Sequence, residues 1–282
     1  MSKNNKTKSY WSMTEGVFNC LIDEERSLAF KKAIENTVRP GDIVVDMGTG
    51  SGILAMFAAK AGAKKVYAVE NDRNNIFTLK EIFKKNKVNK IIELIEGDVT
   101  TVKLPEKVNV IIGEMIATAL IEELQIPAMN NILDYAKNGC KVLLSKYDSF
   151  LSLVDSPSEY YGLDFPIIRY EYPDLLKLKS VDMSELFLYY SVDFNKKNEI
   201  NDVNADILVR VNKSGFINGI KLSSQTKFFD QSSIWGTFAY SYPIILPVLK
   251  TKVLKGDSFR IRVKYAPTEG FKNLSYSINK EK

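Results

Sequence analysis

The sequence predicts an α/β chain: a doubly wound, parallel-sheet domain followed by an antiparallel β domain. Three observations carry that reading. Short apolar strands alternate with helical stretches through the first half. A glycine-rich turn joins the first strand to the helix after it. The second half has β-rich runs separated by turn residues and few convincing long helices.

Taken in order, residues 43–47 are a compact apolar run ending at glycines, which reads as a buried strand. Residues 52–61 are helix-forming and apolar on more than one face, with Gly62 as the stop. Residues 65–69 form the next strand, closed by Glu70. Residues 74–86 are helical, with Ile76, Leu79, Ile82 and Phe83 at helical spacing. The third and fourth strands are 91–95 and 108–112. Residues 118–137 read as a helix that Pro127 kinks or breaks, and residues 140–144 as a fifth strand. Strand and helix in this rhythm argue a parallel sheet covered on both faces. After Tyr147 the β-rich runs are 150–154, 187–194, 205–211, 217–222, 244–248 and 259–265, as in a sandwich or barrel. The boundary falls near residues 147–150, giving domains 1–147 and 148–282 with no linker and no internal repeat.

The 282 residues include no histidine. Ser-His-Asp and Cys-His catalysis, HExxH zinc sites and Cys₂His₂ zinc sites are therefore excluded. Acid–base chemistry falls to Asp, Glu, Lys, Tyr or Cys. Cys20 and Cys140 form neither a CxxC nor a disulfide pattern, so a reduced, cytoplasmic chain is expected, with no metal. The polar start has no apolar core of a signal peptide, and no run approaches a membrane span. The net charge is +5, split evenly as +3 over residues 1–147 and +2 over the rest. That even spread gives no support for a nucleic-acid partner. The densest basic cluster, Lys84, Lys85, Lys87 and Lys90, reads as a solvated helix end.

The strongest local signal is Val44-Val45-Asp46-Met47-Gly48-Thr49-Gly50-Ser51-Gly52, a strand entering a glycine turn that opens a helix. Glycines let backbone approach a ligand, and the helix N-terminus offers free N–H groups. Glu70, at the end of the next strand, stands where a carboxylate accepts ribose hydroxyls. The third glycine falls four residues after the first, not five as in the dinucleotide fingerprint, and no phosphate-cradling GxxxxGK[ST] is present.

These residues resemble the S-adenosylmethionine site of class I methyltransferases. The run from Gly52 to Val66, GILAMFAAKAGAKKV, resembles the protein arginine methyltransferase family more closely still, which reads GILSMFAAKAGAKKV. Leu21-Ile22-Asp23-Glu24-Glu25-Arg26 is similar to the family's M-L-K-D-x-x-R, implying that Arg26 pairs with the cofactor carboxylate. Gly113-Glu114-Met115 and Glu123 are similar to the double-glutamate loop, with the same nine-residue step. Tyr161-Gly162-Leu163-Asp164 and Lys255-Gly256-Asp257 extend the likeness through the second half, implying a β-barrel there. The resemblance implies S-adenosylmethionine held by Arg26, Asp46, Gly48, Gly50, Gly52, Glu70 and Asp98, the last reaching the adenine amino group. It implies catalysis by Glu114 and Glu123 on a guanidino group of a protein or a small arginine-like molecule, and a homodimer. Two carboxylates suit a guanidinium, whose donors fork and whose charge persists at neutral pH.

Departures from the family pattern fall on the acceptor side. The family's Thr-His-Trp, whose histidine is held by an acidic residue near the amino terminus, is matched by Ser233-Ile234-Trp235. This leaves Trp235 to stack on a flat cation. Tyr10-Trp11-Ser12-Met13 stands for the family's Y-F-x-x-Y, and Met115 and Ala117 replace the Trp and Gly of the glutamate loop. Another metabolite as acceptor, or cofactor binding without catalysis, are the alternatives.

Overall fold

The computed structural model describes residues 16–172 and 175–281; Tyr10 to Met13 lie outside them. Two helices lead in, α1 (Gly16–Ile22) and α2 (Glu24–Thr37). Asp23 caps α2, its carboxylate accepting from Arg26 N at 3.0 Å, and Glu24 and Glu25 occupy the dipole-favoured first turn. Five parallel strands follow: β1 (Ile43–Met47), β2 (Lys65–Glu70), β3 (Ile92–Glu96), β4 (Val108–Gly113) and β5 (Ala136–Val142), in the order β3-β2-β1-β4-β5. β1 is buried at all five positions, as a central strand covered on both faces must be. Helix α3 (Ile53–Lys60) links β1 to β2, and α4 (Arg73–Lys85) links β2 to β3. Lys84 and Lys85 close α4 and, with Lys87 and Lys90, are exposed.

One expected helix is shorter than the sequence predicts. Residues 118–137 hold a 3-10 turn (Thr118–Leu120), helix α5 (Gln125–Ile132) and a second 3-10 turn (Leu133–Tyr135). Ala119 and Leu120 both have φ of 57°, outside any right-handed helix. Pro127 is the third residue of α5, where no N–H is needed, so it opens the helix rather than breaking it. The fifth strand is also earlier than expected, because pairing with β4 starts at Ala136.

The second half is antiparallel: β6 (Leu144–Asp155), β7 (Glu159–Tyr160), β8 (Leu163–Asp164), β9 (Arg169–Tyr170), β10 (Val181–Asp182), β11 (Phe187–Asp193), β12 (Val203–Arg210), β13 (Gly215–Phe228), β14 (Ser233–Trp235), β15 (Ile244–Val253), β16 (Ser258–Tyr265) and β17 (Ser275–Lys280). Seven of these form one sheet on the path β10-β6-β13-β15-β9, with β11 beside β6 and β14 beside β13. β12-β16-β17 form another, and β7-β8 a small hairpin. Among the described residues, backbone pairing does not close the two larger sheets into one barrel ladder. They instead share a core that joins Leu151, Ile220 and Leu246 to Val209 and Ile261. β6 runs unbroken across residues 147–148, and only Leu143 separates it from β5. Phe30 of α2 packs edge-on against Phe228 and Tyr240, so the two halves are welded by aromatic contact.

Candidate active site

The glycine turn leaves the carboxyl end of β1, where open α/β sheets place their ligands. Gly48 and Gly50 have φ of 60° and 55° and line a cavity of about 430 Å³. A Cβ at Gly48 would stand 3.1 Å from Met115 Sδ, so absent side chains shape this wall. Gly52 has a different task. A Cβ there would lie 2.6 Å from Phe83 and 2.9 Å from Leu79, so its bareness lets α3 close on α4. Gly52 does not line the cavity, contrary to expectation.

Asp46 is also absent from the cavity wall. It is buried beneath the turn, accepting from Thr49 Oγ1 at 2.6 Å and Ala55 N at 3.1 Å, while its Oδ1 has no hydrogen-bond partner among the described residues. Burial pushes its carboxyl up to about 6 against those two donors. Asp46 is therefore a brace for the turn. Glu70 lines the cavity and braces as well. One oxygen accepts from Gly50 N at 2.9 Å and Asn75 Nδ2 at 3.2 Å; the other takes Asn71 N and Asp72 N. Asp98, two residues past β3, lines the cavity and holds its own turn through Thr100 N and Oγ1.

Strand order lays these groups out in a row: Asp98 after β3, Glu70 on β2, the glycines after β1, then Glu114 after β4. Gly113 makes the last approach possible. It pairs with Met47 at φ 138°, and a Cβ there would fall 2.5 Å from Met47 Cβ. Glu114 then meets Arg26 of α2. Its Oε2 accepts from Arg26 Nε at 3.0 Å and Nη2 at 2.5 Å, and both side chains are 6% exposed. Burial opposes the Arg26 charge, yet Glu114 outweighs it and holds the guanidinium above its usual value. Glu123 lines the same cavity, beside Glu122. The groups that the sequence assigns separately to cofactor and catalysis, Arg26 and Glu114, thus form one buried ion pair. Among the described residues no cluster of three His, Cys, Asp or Glu is arranged to hold a metal.

Comparison with known proteins fits this geometry. The family model for ribosomal protein L11 methyltransferase matches residues 28–145. An uncharacterized protein of Methanocaldococcus jannaschii is 38% identical over 93% of this chain and 95% of its own length. Protein arginine N-methyltransferase PRMT10 of Arabidopsis thaliana is 33% identical over 45% of this chain, a match that spans only 39% of that relative. The Trypanosoma brucei PRMT1 enzyme–prozyme complex with AdoHcy shares the fold at a TM-score of 0.75 and 18% identity, covering 93% of this chain and 96% of that one. The chain belongs to the class I S-adenosylmethionine methyltransferases related to the protein arginine methyltransferases.

The second-half residues that the sequence assigns to the acceptor of this methyltransferase lie away from this cavity. Ile234 does not reach the cavity; it is buried in the core of the first half, with Phe30 and Tyr240. The second-half segment that meets Asp23, the cap of α2, is 237–239. Thr237 Oγ1 donates to Asp23 Oδ2 at 2.5 Å and Ala239 N donates to it at 2.7 Å, while Ala239 lines the cavity. Trp235 is 40% exposed, packs 5.3 Å from the Phe150 ring and does not line the cavity. Sequence reasoning missed Asp23, Cys20, Glu122 and Ala239. Asp23 alone carried a local signal, as an acid at a helix start. Cys20 lines the cavity, but burial, with Glu114 adding, pushes its thiol up to about 12, which leaves it a poor nucleophile.

Proposed function

We propose that the protein is an S-adenosylmethionine-dependent N-methyltransferase whose acceptor is a guanidino nitrogen, on protein arginine or on a small arginine-like molecule. The observation that carries this is the convergence of three carboxylates, Glu114, Glu122 and Glu123, on a cavity whose other wall is the glycine turn. An apolar or anionic acceptor gains nothing from three acids; a forked cation gains hydrogen bonds and charge neutralisation.

The residues present fit S-adenosylmethionine. Gly48 and Gly50 leave a bare backbone cradle, Val69 and Val99 give an apolar wall for a flat base, and Glu70 and Asp98 present carboxylates at the nucleoside end. Arg26 stands ready for a carboxylate of the ligand, sharing it with Glu114. The cofactor, when bound, supplies an electrophilic methyl on a sulfonium. The chain supplies position: Glu114 and Glu123 fix the guanidinium, keep its positive charge on the nitrogens they bind and leave the third with the more available lone pair. No imidazole base exists here, and none is needed, since the acceptor proton can leave after the new bond forms. The relatives named as arginine methyltransferases support the acceptor class, and the bound AdoHcy of the Trypanosoma neighbour supports the cofactor.

The test is incubation with methyl-labelled cofactor, cell extract and an arginine-rich peptide. Label on protein or peptide arginine is the expected result, and label on a small guanidine compound also supports the proposal. Label on an acceptor without a guanidine group, or no transfer, overturns it in favour of another metabolite or a non-catalytic role.

A further inference from the structure

The backbone between Glu114 and Glu123 is under unusual tension. Ala119 and Leu120 are consecutive, neither is glycine, and both lie in the left-handed region at φ 57°. L-residues avoid that conformation, and it persists only where surroundings over-determine it. The second half does so here with hydroxyl groups. Tyr265 OH donates to Ala119 O at 2.8 Å, Ala119 N donates to Ser224 Oγ at 3.1 Å, and Tyr147 OH donates to Ala117 O at 3.1 Å. Thr268 N and Gly270 N donate to Leu120 O and Ile121 O at 2.9 and 2.8 Å. At the far end, Tyr170 OH donates to Glu122 Oε2 at 2.6 Å. The loop also straddles two cores, with Leu120 in that of the first half and Ala119 in that of the second.

We propose that Tyr265 and Ser224 are positioning residues for the acceptor site: their hydroxyls hold Ala119, and so the strained turn it forms with Leu120, in the backbone that brings Glu123 onto the same cavity as Glu114. This rests on the proposed acceptor role of the two glutamates, but its physical core does not. Released, the pair relaxes toward right-handed backbone, and the nine-residue step between the glutamates no longer delivers both carboxylates to one place. The β domain is then the part that sets the glutamate geometry, through side chains more than a hundred residues away in sequence.

The experiment compares wild type, Tyr265→Phe, and Tyr265→Phe with Ser224→Ala, which lose hydroxyls and little else. Amide exchange by mass spectrometry is expected to rise about tenfold over 116–123 while 43–70 keeps its protection. Calorimetry with S-adenosylhomocysteine is expected to give an affinity within about twofold of wild type. KM for a Gly-Arg-Gly peptide rises more than kcat falls. Adding Ala119→Gly alone to the double variant, which keeps the buried Leu120 side chain, restores slow exchange over 116–123, because glycine takes φ > 0 without penalty. Unchanged exchange over 116–123, acceleration across the whole chain, or no glycine rescue overturns the proposal. If the peptide takes no methyl, exchange and rescue decide alone. Failure of the acceptor reading looks different: exchange behaves as expected, yet Glu114→Gln transfers methyl at the wild-type rate.

Discussion

The two walls of the cavity are made in opposite ways. The glycine-turn wall comes from one contiguous stretch: β1, its turn, α3 and β2 supply Asp46, Gly48, Gly50 and Glu70, and most of their hydrogen bonds stay inside that stretch. The glutamate wall is assembled from residues far apart in the chain. Asp23 and Arg26 come from the leading helices, Glu114 to Glu123 from the loop after β4, and Thr237 to Ala239 from the second half. A wall of the first kind is written as a motif. A wall of the second kind exists only when two halves dock, and its chemistry can change without disturbing the first. Here Asp23 is held by the Thr237 hydroxyl and the Ala239 backbone N–H, with no imidazole involved.

The largest effect is expected at the hinge between the walls. Glu114→Gln removes one acceptor carboxylate and the counter-charge of Arg26. Turnover is expected to fall at least about a hundredfold, the scale for losing one preorganised charged group. Stability is expected to fall by about 3–5 kcal/mol, because a buried guanidinium is left unpaired. Binding of S-adenosylhomocysteine survives, since its carboxylate can take the vacated place at Arg26. Kinetics, urea unfolding and calorimetry on one variant check the three. Loss of cofactor affinity in step with turnover would erase the distinction between the walls.

Next is Gly52→Ala, which probes the local wall alone. A left-handed alanine at φ 78° whose Cβ meets Phe83 and Leu79 is expected to cost about 2–5 kcal/mol, from backbone strain plus overpacking. Gly48→Ala has similar strain, but its Cβ meets only the flexible Met115 side chain. It is expected to cost about 1–2 kcal/mol of stability and to weaken cofactor binding through the narrowed cradle. If the two variants unfold at the same urea concentration, the division of labour between these glycines is wrong.

This contrast also explains what the sequence made legible. The strands 43–47, 65–69, 91–95 and 108–112 are found within a residue or two, because buried parallel strands read as apolar runs closed by turns. The glycine turn was legible for the same reason. The helix expected over 118–137 is present only as Gln125–Ile132, since hydroxyls from Ser224 and Tyr265 hold Ala119 in the left-handed region against local propensity. The position assigned to Ile234 also failed. Spacing from a neighbouring tryptophan says nothing about which turn of the second half will dock on Asp23. Asp46 and Gly52 lie behind the turn and not on the cavity wall; sequence marks the turn without distinguishing its lining from its supports.

Asp46 offers a smaller, pH-dependent test of that support role. Its folded pKa of about 6 lies above the usual 3.8, so the fold binds a proton more tightly than the unfolded chain does. The stability it contributes is fully present below about pH 4 and is lost as pH rises through about 6, by about 3 kcal/mol. Asparagine cannot titrate. The stability of wild type relative to Asp46→Asn is therefore expected to decline between pH 4 and 7 and then level off. A constant difference in urea unfolding across that range contradicts the buried, half-satisfied carboxylate.

The smallest effect is expected at Trp235. The sequence makes it the stacking platform for a flat cation, but it rests on Phe150 away from the cavity, at the 40% exposed end of a three-residue strand. Trp235→Ala removes one tilted aromatic contact, worth about 0.5–1.5 kcal/mol beyond the area it covers. Cofactor affinity and methyl transfer to a peptide acceptor are both expected to stay within about twofold of wild type. A tenfold rise in acceptor KM with unchanged stability would place Trp235 on the path of a long acceptor outside the cavity. It would also extend the assembled wall onto the face of β14.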